Sequence, residues 1–325
     1  MEKSGFKLDF QKLLAPAALV AIYIFFCFAG NNFFSTAVLI NIFDASYFIG
    51  FLAVGVTFAI ITGGIDLSIG AVMMASALLG GVAYTNWGFN IWFSLLVCIL
   101  TGTMFGLING ILIAKFKIVP FVATLGIQMV ASGWGAIMSR VMTMRYPTVG
   151  SEDGIFKQVL YKASNGFPVG ILWLALFFVL AYILLNRTRF GRYVYAMGSN
   201  EEATRLSGVN VDKWKILVYV VVGTFAGMAG VMYAAAYTSI VPATGAGIEI
   251  LGIAAVVIGG TSLAGGVGTL TGTIIGVYIM AVLRQGLMSM GLQGHYQTFF
   301  TGIVVIAAVM LDIYRNKKAS QVKKL

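Results

Sequence analysis

Charge, histidine, cysteine and proline are all scarce in this chain of 325 residues. It has one histidine, His295, and two cysteines, Cys27 and Cys98. A single imidazole excludes a histidine-rich metal centre and argues against a histidine-based catalytic triad. Both cysteines lie within apolar runs, where they read as small core residues rather than a disulfide or a metal pair. No G-x-x-x-x-G-K-[ST] run is present, so the chain has no Walker A phosphate cradle. The run from Gly266 to Gly272, GVGTLTG, superficially looks like a dinucleotide loop, but its spacing is wrong and no βαβ pattern surrounds it. Nothing here forms a catalytic constellation, so the chain reads as a non-enzyme that binds no cofactor. Charged residues make up 10% of the chain, against about 25% in soluble domains.

What is abundant is apolar surface. Hydrophobic residues are 59% of the chain and the mean hydropathy is +0.94. One water-soluble core cannot bury that much, and lipid is the natural solvent for it. The 40 glycines and 5 prolines suit closely packed membrane helices. A transmembrane barrel would alternate over roughly ten-residue segments, whereas these runs are longer and apolar all round. A span takes about 20 apolar residues. Ten runs qualify: roughly 13–30, 38–62, 67–85, 91–114, 119–142, 168–186, 214–237, 246–263, 267–290 and 297–314. The expected fold is therefore an all-α polytopic membrane protein of about ten transmembrane helices, a single transmembrane domain over 1–325. The 38–62 run is long, carries Asp44 near its start and reads as broken or tilted. The glycine-rich stretch 240–270 reads as holding a re-entrant piece. Lys3, Lys7 and Lys12 precede the first run. That pattern also fits a signal peptide, but the run is long for one and no A-x-A site follows, so a retained span is favoured.

The net charge of +10 tracks topology rather than nucleic acid. With the N-terminus inside, inner segments hold 16 of the 21 cations, including Lys115, Lys117, Arg187, Arg189, Arg192, Arg205, Lys213 and Lys215. The outer segments hold four: Arg140, Arg145, Lys157 and Lys162. The positive-inside rule then selects N-in/C-in, with a cytoplasmic loop at 187–213 and a cytoplasmic tail at 315–325. The longest outer loop, about 143–167, offers a face to an external partner.

One internal echo exists. GGIDLSIG (63–70) resembles GGTSLAGG (259–266), and each follows an apolar run. Weak repeats are common in transporters, although glycine-rich hairpins also look alike. Gly63, Gly64, Asp66, Gly259 and Gly260 are the turn or gating candidates. Asp66 reads either as a cap or local hydrogen-bonding group near Leu67 or as an intramembrane functional ion. Glycines spaced by four, at 102/106/110 and 268/272/276, place smooth strips on helix faces. Those strips serve tight packing within the chain, or else a dimer or pathway face. Arg284 and Gln285 lie late in the ninth run, where a snorkelling arginine is the simple account. Asn109, Gln128 and Trp134 are the candidates for a polar path, with helix–helix hydrogen bonding an equal reading of the first two.

The loop at 187–213 carries the most local information. From Gly198 to Gly208 it reads GSNEEATRLSG. Asn200 suits an N-cap, Glu201 and Glu202 the first turn, and Arg205 the last turn of a helix dipole. Gly208 suits a left-handed stop. The sequence predicts a helix of about two turns with both ends specified. So short a helix is marginal alone in water and calls for a partner surface; a well-capped connector is the other reading.

The run TRFGRYVYAMGSNEEATRLSGVNV (188–211) resembles the cytoplasmic loop of bacterial monosaccharide ABC-transporter permeases of the ribose type. TGGIDLSIGAV (62–72), VPFVATLG (119–126) and AAVVIGGTSLAGGVGTLTG (254–272) resemble the same family, and the likeness runs from about 20 to 314. The resemblance implies an inner-membrane homodimer of about ten spans per chain. It implies a cytoplasmic ABC ATPase that holds the ATP and magnesium, and an extracytoplasmic sugar-binding protein. It implies that Asn200, Glu201, Glu202, Ala203, Thr204, Arg205, Leu206, Ser207 and Gly208 form the coupling helix that fits a groove of the ATPase. The implied cargo is a monosaccharide such as ribose, galactose or galactofuranose. The alternatives are an ABC permease for a nucleoside or amino acid, and a lone secondary carrier, which would need mid-span acidic residues. The family often carries Glu-Leu-Asp-Ala before the second GG motif. This chain has Glu249, Ile250, Leu251 and Gly252 there, so the aspartate is replaced by Leu251 and no particular sugar carries over.

Overall fold

The structure, a computed structural model, describes residues 10–292 and 294–322. Lys3, Lys7, Lys323 and Lys324 of the charge count lie outside these residues. The long helices are α1 (Phe10–Ala29), α2 (Thr36–Ile61), α3 (Ile69–Thr85), α4 (Ile91–Ala114) and α5 (Pro120–Met138). A 3-10 turn at Glu152–Gly154 leads into the short α6 (Ile155–Leu160), followed by α7 (Gly170–Arg187), α8 (Arg189–Ser199) and α9 (Glu201–Leu206). Then come α10 (Val211–Ala236), α11 (Ile248–Ile258), α12 (Leu270–Ser289) and α13 (His295–Val322). The strands β1 (Met144–Arg145) and β2 (Ser239–Ile240) pair antiparallel, Met144 opposite Ile240.

Among the described residues, seven helices are long and apolar enough to cross a bilayer: α2, α4, α5, α7, α10, α12 and the first part of α13. The apolar parts of α1, α3 and α11 are shorter. Each of the ten apolar runs therefore holds one helix, and the fold is all-α and polytopic. The helix starts follow local chemistry. Ser35 accepts from the N–H of Val38, Asn90 from Phe93, Asn210 from Lys213 and Thr269 from Gly272. Each such bond satisfies one of the donors a helix N-terminus leaves unpaired. Pro120 occupies the first turn of α5, where no donor is lost.

Two runs were singled out in the sequence: the first is unbroken, and the second holds only a short helix. The 38–62 run is one continuous helix of 26 residues. Its Asp44 is accommodated by an ion pair with Lys162 at 2.8 Å. The 246–263 run contains only the 11 residues of α11. At 1.5 Å per residue that is roughly 16 Å, half of a bilayer core. The preceding chain, 241–247, has no helix, and Ala243 and Gly247 both adopt positive φ, 62° and 91°.

The core lies around α2, α3 and α10. From Ser46 to Ile61 every residue of α2 is buried, so its second half is enclosed all round. α10 packs along α4 and also touches α2 and α3. α11 and α12 pack on each other and on α2, and α1 lies against α12. The α4–α10 seam is backbone against backbone. A Cβ at Gly106 would meet the Tyr219 carbonyl and Gly223, and one at Gly102 would meet Gly223 and Gly227. The row 268/272/276 likewise meets Thr261, Gly259 and Ala255. Both glycine rows thus serve packing inside this chain, where small residues let helices close together in lipid. Thr57 of α2 and Thr273 of α12 add a hydroxyl–hydroxyl bond of 2.9 Å within the core.

Candidate functional site

The polar connection between α7 and α10 folds into two short helices. Thr188 caps α8 through the N–H of Gly191. Phe190, Val194 and Met197 recur at helical spacing and bury one face of α8. Phe190 reaches Phe58 of α2, with ring centroids 5.9 Å apart. The chain then turns at Asn200, whose side chain accepts the N–H of Ala203 at 2.9 Å and starts α9. Glu201 and Glu202 fill the first turn and Arg205 the last. Gly208 follows with φ of 83°. Helix, cap and stop therefore fall where the sequence puts them. Thr204 is buried, whereas Leu206 is 83% exposed, an apolar side chain presented outward at the tip of a polar loop.

An ionic chain holds the base of α9. Glu201 accepts Lys215 at 2.6 Å and Arg205 at 3.3 Å. Arg205 also approaches Asp212 at 3.4 Å, and Asp212 accepts Lys117 at 2.7 Å. α9 is thereby tied to the first turns of α10 and to the α4–α5 connection. Burial alone would raise the Glu201 carboxyl, but the hydrogen bonds and charges of Lys215 and Arg205 outweigh it and hold it below its ordinary value. These are partly exposed pairs, each worth little alone; their effect is to fix orientation.

The end of α8 wedges between the two echoing glycine runs. The N–H of Gly266 donates to the carbonyl of Ile61 at 2.8 Å. A Cβ at Gly198 would fall on that same carbonyl and on the Gly266 nitrogen. One at Gly265 would meet the Gly198 carbonyl and the Gly63 nitrogen. Tyr195 adds a hydroxyl bond to the Gly268 carbonyl at 2.8 Å. Thus α8, the end of α2 and the loop before α12 meet at main-chain distance. α8 therefore reaches both glycine turns largely through backbone atoms.

Asp66 is buried just before α3. Its carboxylate accepts the N–H and hydroxyl of Ser68 at 2.8 and 2.6 Å. Asn109 of α4 donates to Ser68 at 2.9 Å and to Asp66 at 3.4 Å. This cluster ties the extended segment before α3 to α4. Gln128 of α5 instead donates to Glu249 at 3.0 Å. Trp134 packs edge-on against Phe105 at 5.5 Å. The three path candidates thus occupy separate places.

A sequence profile described as the branched-chain amino acid transport system / permease component matches residues 38–309. The chain belongs to this permease family. The ribose import permease protein RbsC of Escherichia coli (strain K12) is 35% identical, over 94% of this chain and 95% of that one. The fructose import permease protein FrcC of Rhizobium meliloti is 34% identical, over 90% of this chain and 82% of its own. A solved structure of an inward-facing metal-chelate type ABC transporter aligns with a TM-score of 0.50 over 93% of this chain and 97% of that one, at 16% identity. That likeness concerns the fold alone. The permease is a multi-pass protein of the bacterial inner membrane.

Several residues of the permease site escaped the sequence reading. Lys117 and Lys215 counted there only as topology charges. Tyr195, Gly198 and Ser199 stand just before the predicted helix, and their contacts join segments far apart in sequence. Glu249 stood out only beside a replaced neighbour. Among the described residues no group of three or more His, Cys, Asp or Glu is placed to hold a metal ion.

Proposed function

We propose that this permease is the membrane-spanning subunit of an ATP-driven ABC importer for a monosaccharide. The observation that carries it is α9: a capped, anchored, two-turn helix with an outward Leu206, whose predecessor α8 abuts both glycine turns. The family description names branched-chain amino acids, but relatives 35% and 34% identical over 94% and 90% of this chain are named for ribose and fructose import. The GGIDLS segment favours the sugar reading as well.

In this reading Asn200–Gly208 sits in a groove of a cytoplasmic ABC ATPase, which holds the ATP and magnesium. Two copies of the permease face each other. An extracytoplasmic binding protein delivers the sugar to the outer loops. ATP binding closes the ATPase, α9 moves with it, and α8 passes the displacement to the ends of α2 and α11. The inner bias of the cations supports placing 187–213 in the cytoplasm.

The test is reconstitution in proteoliposomes with the partner ATPase and binding protein, offering D-ribose, D-fructose and D-galactose. Uptake of one of these that requires internal ATP is expected. Uptake that persists without the ATPase, or with an ion gradient alone, would overturn the reading in favour of a secondary carrier.

A further inference from the structure

The chain from Val241 to Gly247 poses a solvation problem. Ile240 pairs with Met144, which packs on Gly81 of α3. Gly245 packs on Gly70 and Met74 of the same helix. Between those contacts the segment descends roughly 11–16 Å along α3, counting 1.5 Å per residue. It therefore runs inside the bilayer without helix, while Ala243, Thr244, Ala246 and Gly247 are exposed. Irregular backbone facing hydrocarbon leaves polar groups unpaired, and membrane proteins hold it only against protein or a water-filled cavity.

The neighbouring face of α5 is exposed as well. Val122, Gly126, Met129 and Gly133 line one side of the helix, Met129 being 78% exposed. A Cβ built at Gly126 or Gly133 meets nothing. Between this face and the irregular segment lies Glu249, 6% exposed, on the first turn of α11. Among the described residues no cation pairs with it. Its oxygens accept the N–H of Gly247 at 3.0 and 3.1 Å and the amide of Gln128 at 3.0 Å. Gln128 is half-buried, about midway along α5, and among the described residues nothing is hydrogen-bonded to its side-chain oxygen.

The geometry points to Glu249 and Gln128 as a hydrogen-bonding station for sugar hydroxyls, on a water-filled path lined by this α5 face and the 241–247 segment. A carboxylate accepts from hydroxyls, and an amide both donates and accepts. Together they match a polyol in a lining that is otherwise apolar. Lack of a cation partner leaves the carboxylate's remaining lone pairs for a transient donor. The path runs between this face and the second copy of the chain. The inference rests on the importer reading above.

The assembled complex in proteoliposomes tests it, using whichever of the three sugars the wild-type complex carries. Gln128→Ala and Glu249→Gln should each lower sugar moved per ATP hydrolysed roughly ten-fold, the scale of one lost hydrogen bond. The exchange variant Gln128→Glu with Glu249→Gln, which keeps one carboxylate facing one amide, should recover a large part of it. Gln128→Ala moving sugar at wild-type stoichiometry would overturn the station, and because Gln128 is half-exposed this variant decides even if Glu249→Gln fails to assemble. In a background of Cys27→Ser and Cys98→Ala, Ala246→Cys should react with a membrane-impermeant maleimide, whereas Leu180→Cys on the exposed face of α7 should not. Equal reactivity at the two positions would overturn the path. Wild-type complex that carries none of the sugars would overturn the importer reading instead, while the labelling still reports on the path.

Discussion

The main-chain N–H of Gly266 donates to the carbonyl of Ile61 at 2.8 Å, and Gly198 lies against both atoms. The second glycine-rich run is thus bonded to the end of α2, two residues before the first such run begins, and α8 ends on that bond. A methyl at Gly198 has only backbone to displace. Gly198→Ala should cost about 1–3 kcal/mol of stability, as overpacking does. It should also lower sugar-stimulated ATP hydrolysis about ten-fold, a typical coupling energy. Gly302→Ala, where a Cβ meets nothing, is the control. Thermal melts and ATPase assays on both variants check it, and a Gly198→Ala protein matching the control would remove the junction from the mechanism.

Leu206 separates docking from folding. At 83% exposure it contributes little to the permease alone, and Leu206→Asp should shift stability by less than about 0.5 kcal/mol. An apolar anchor lost from a docked interface costs more, about 2 kcal/mol. Co-purification of the ATPase should therefore fall while the melting temperature stays put. Undiminished co-purification would place the docking surface elsewhere.

The Asn200 cap has a graded prediction. Asn200→Ala should loosen α9 by about 1 kcal/mol, while Asn200→Asp should retain the cap. Hydrogen exchange over 200–208 should report this order, faster in the alanine variant and near wild type in the aspartate variant, with ATPase stimulation following the same order.

Glu201 gives the pH dependence. Its carboxyl titrates below the ordinary value when folded, so its contribution is fully present at neutral pH. That contribution is lost only as the pH falls through the depressed value, on the acid side of the ordinary carboxylate range. Coupling measured from pH 6 to 8 should be insensitive to this group. Glu201→Gln should have a small effect that shrinks further in high salt, because exposed pairs are weak and screened. A large salt-independent loss in that variant would show the carboxylate touching something beyond Lys215 and Arg205.

The α4–α10 seam should tolerate nothing larger than glycine at its centre. Gly223→Leu would drive a side chain into the Gly102 carbonyl and Gly106. Failure to recover folded permease from detergent is expected, from a cost of about 3 kcal/mol or more. Recovery of a protein with wild-type melting would mean the seam opens readily.

Much of this was legible in advance because it is local. Ten apolar runs became ten helices, since the bilayer fixes the length a span needs. Asn200 and Gly208 bounded α9, since caps and stops act over three or four residues. The irregular 241–247 segment was visible only as glycine enrichment, and its depth follows from β2 pairing with β1, a contact nearly 100 residues apart in sequence. Asp66 was open between a local hydrogen-bonding group and an intramembrane ion; its bonds to Ser68 are local, but the approach of Asn109 from α4, 43 residues away, was not readable from its neighbours. Gly198 carried no signal at all, because a close approach between backbones leaves no side-chain pattern to recognise.

The α4–α10 seam also sets a timetable for biogenesis. Gly106 and Gly223 meet in the finished permease, but Gly223 is made 117 residues after Gly106. At about 5–20 residues per second that interval is roughly 6–25 s. The seam therefore cannot close until α10 has been made, so this backbone-to-backbone contact of the core is completed late in synthesis.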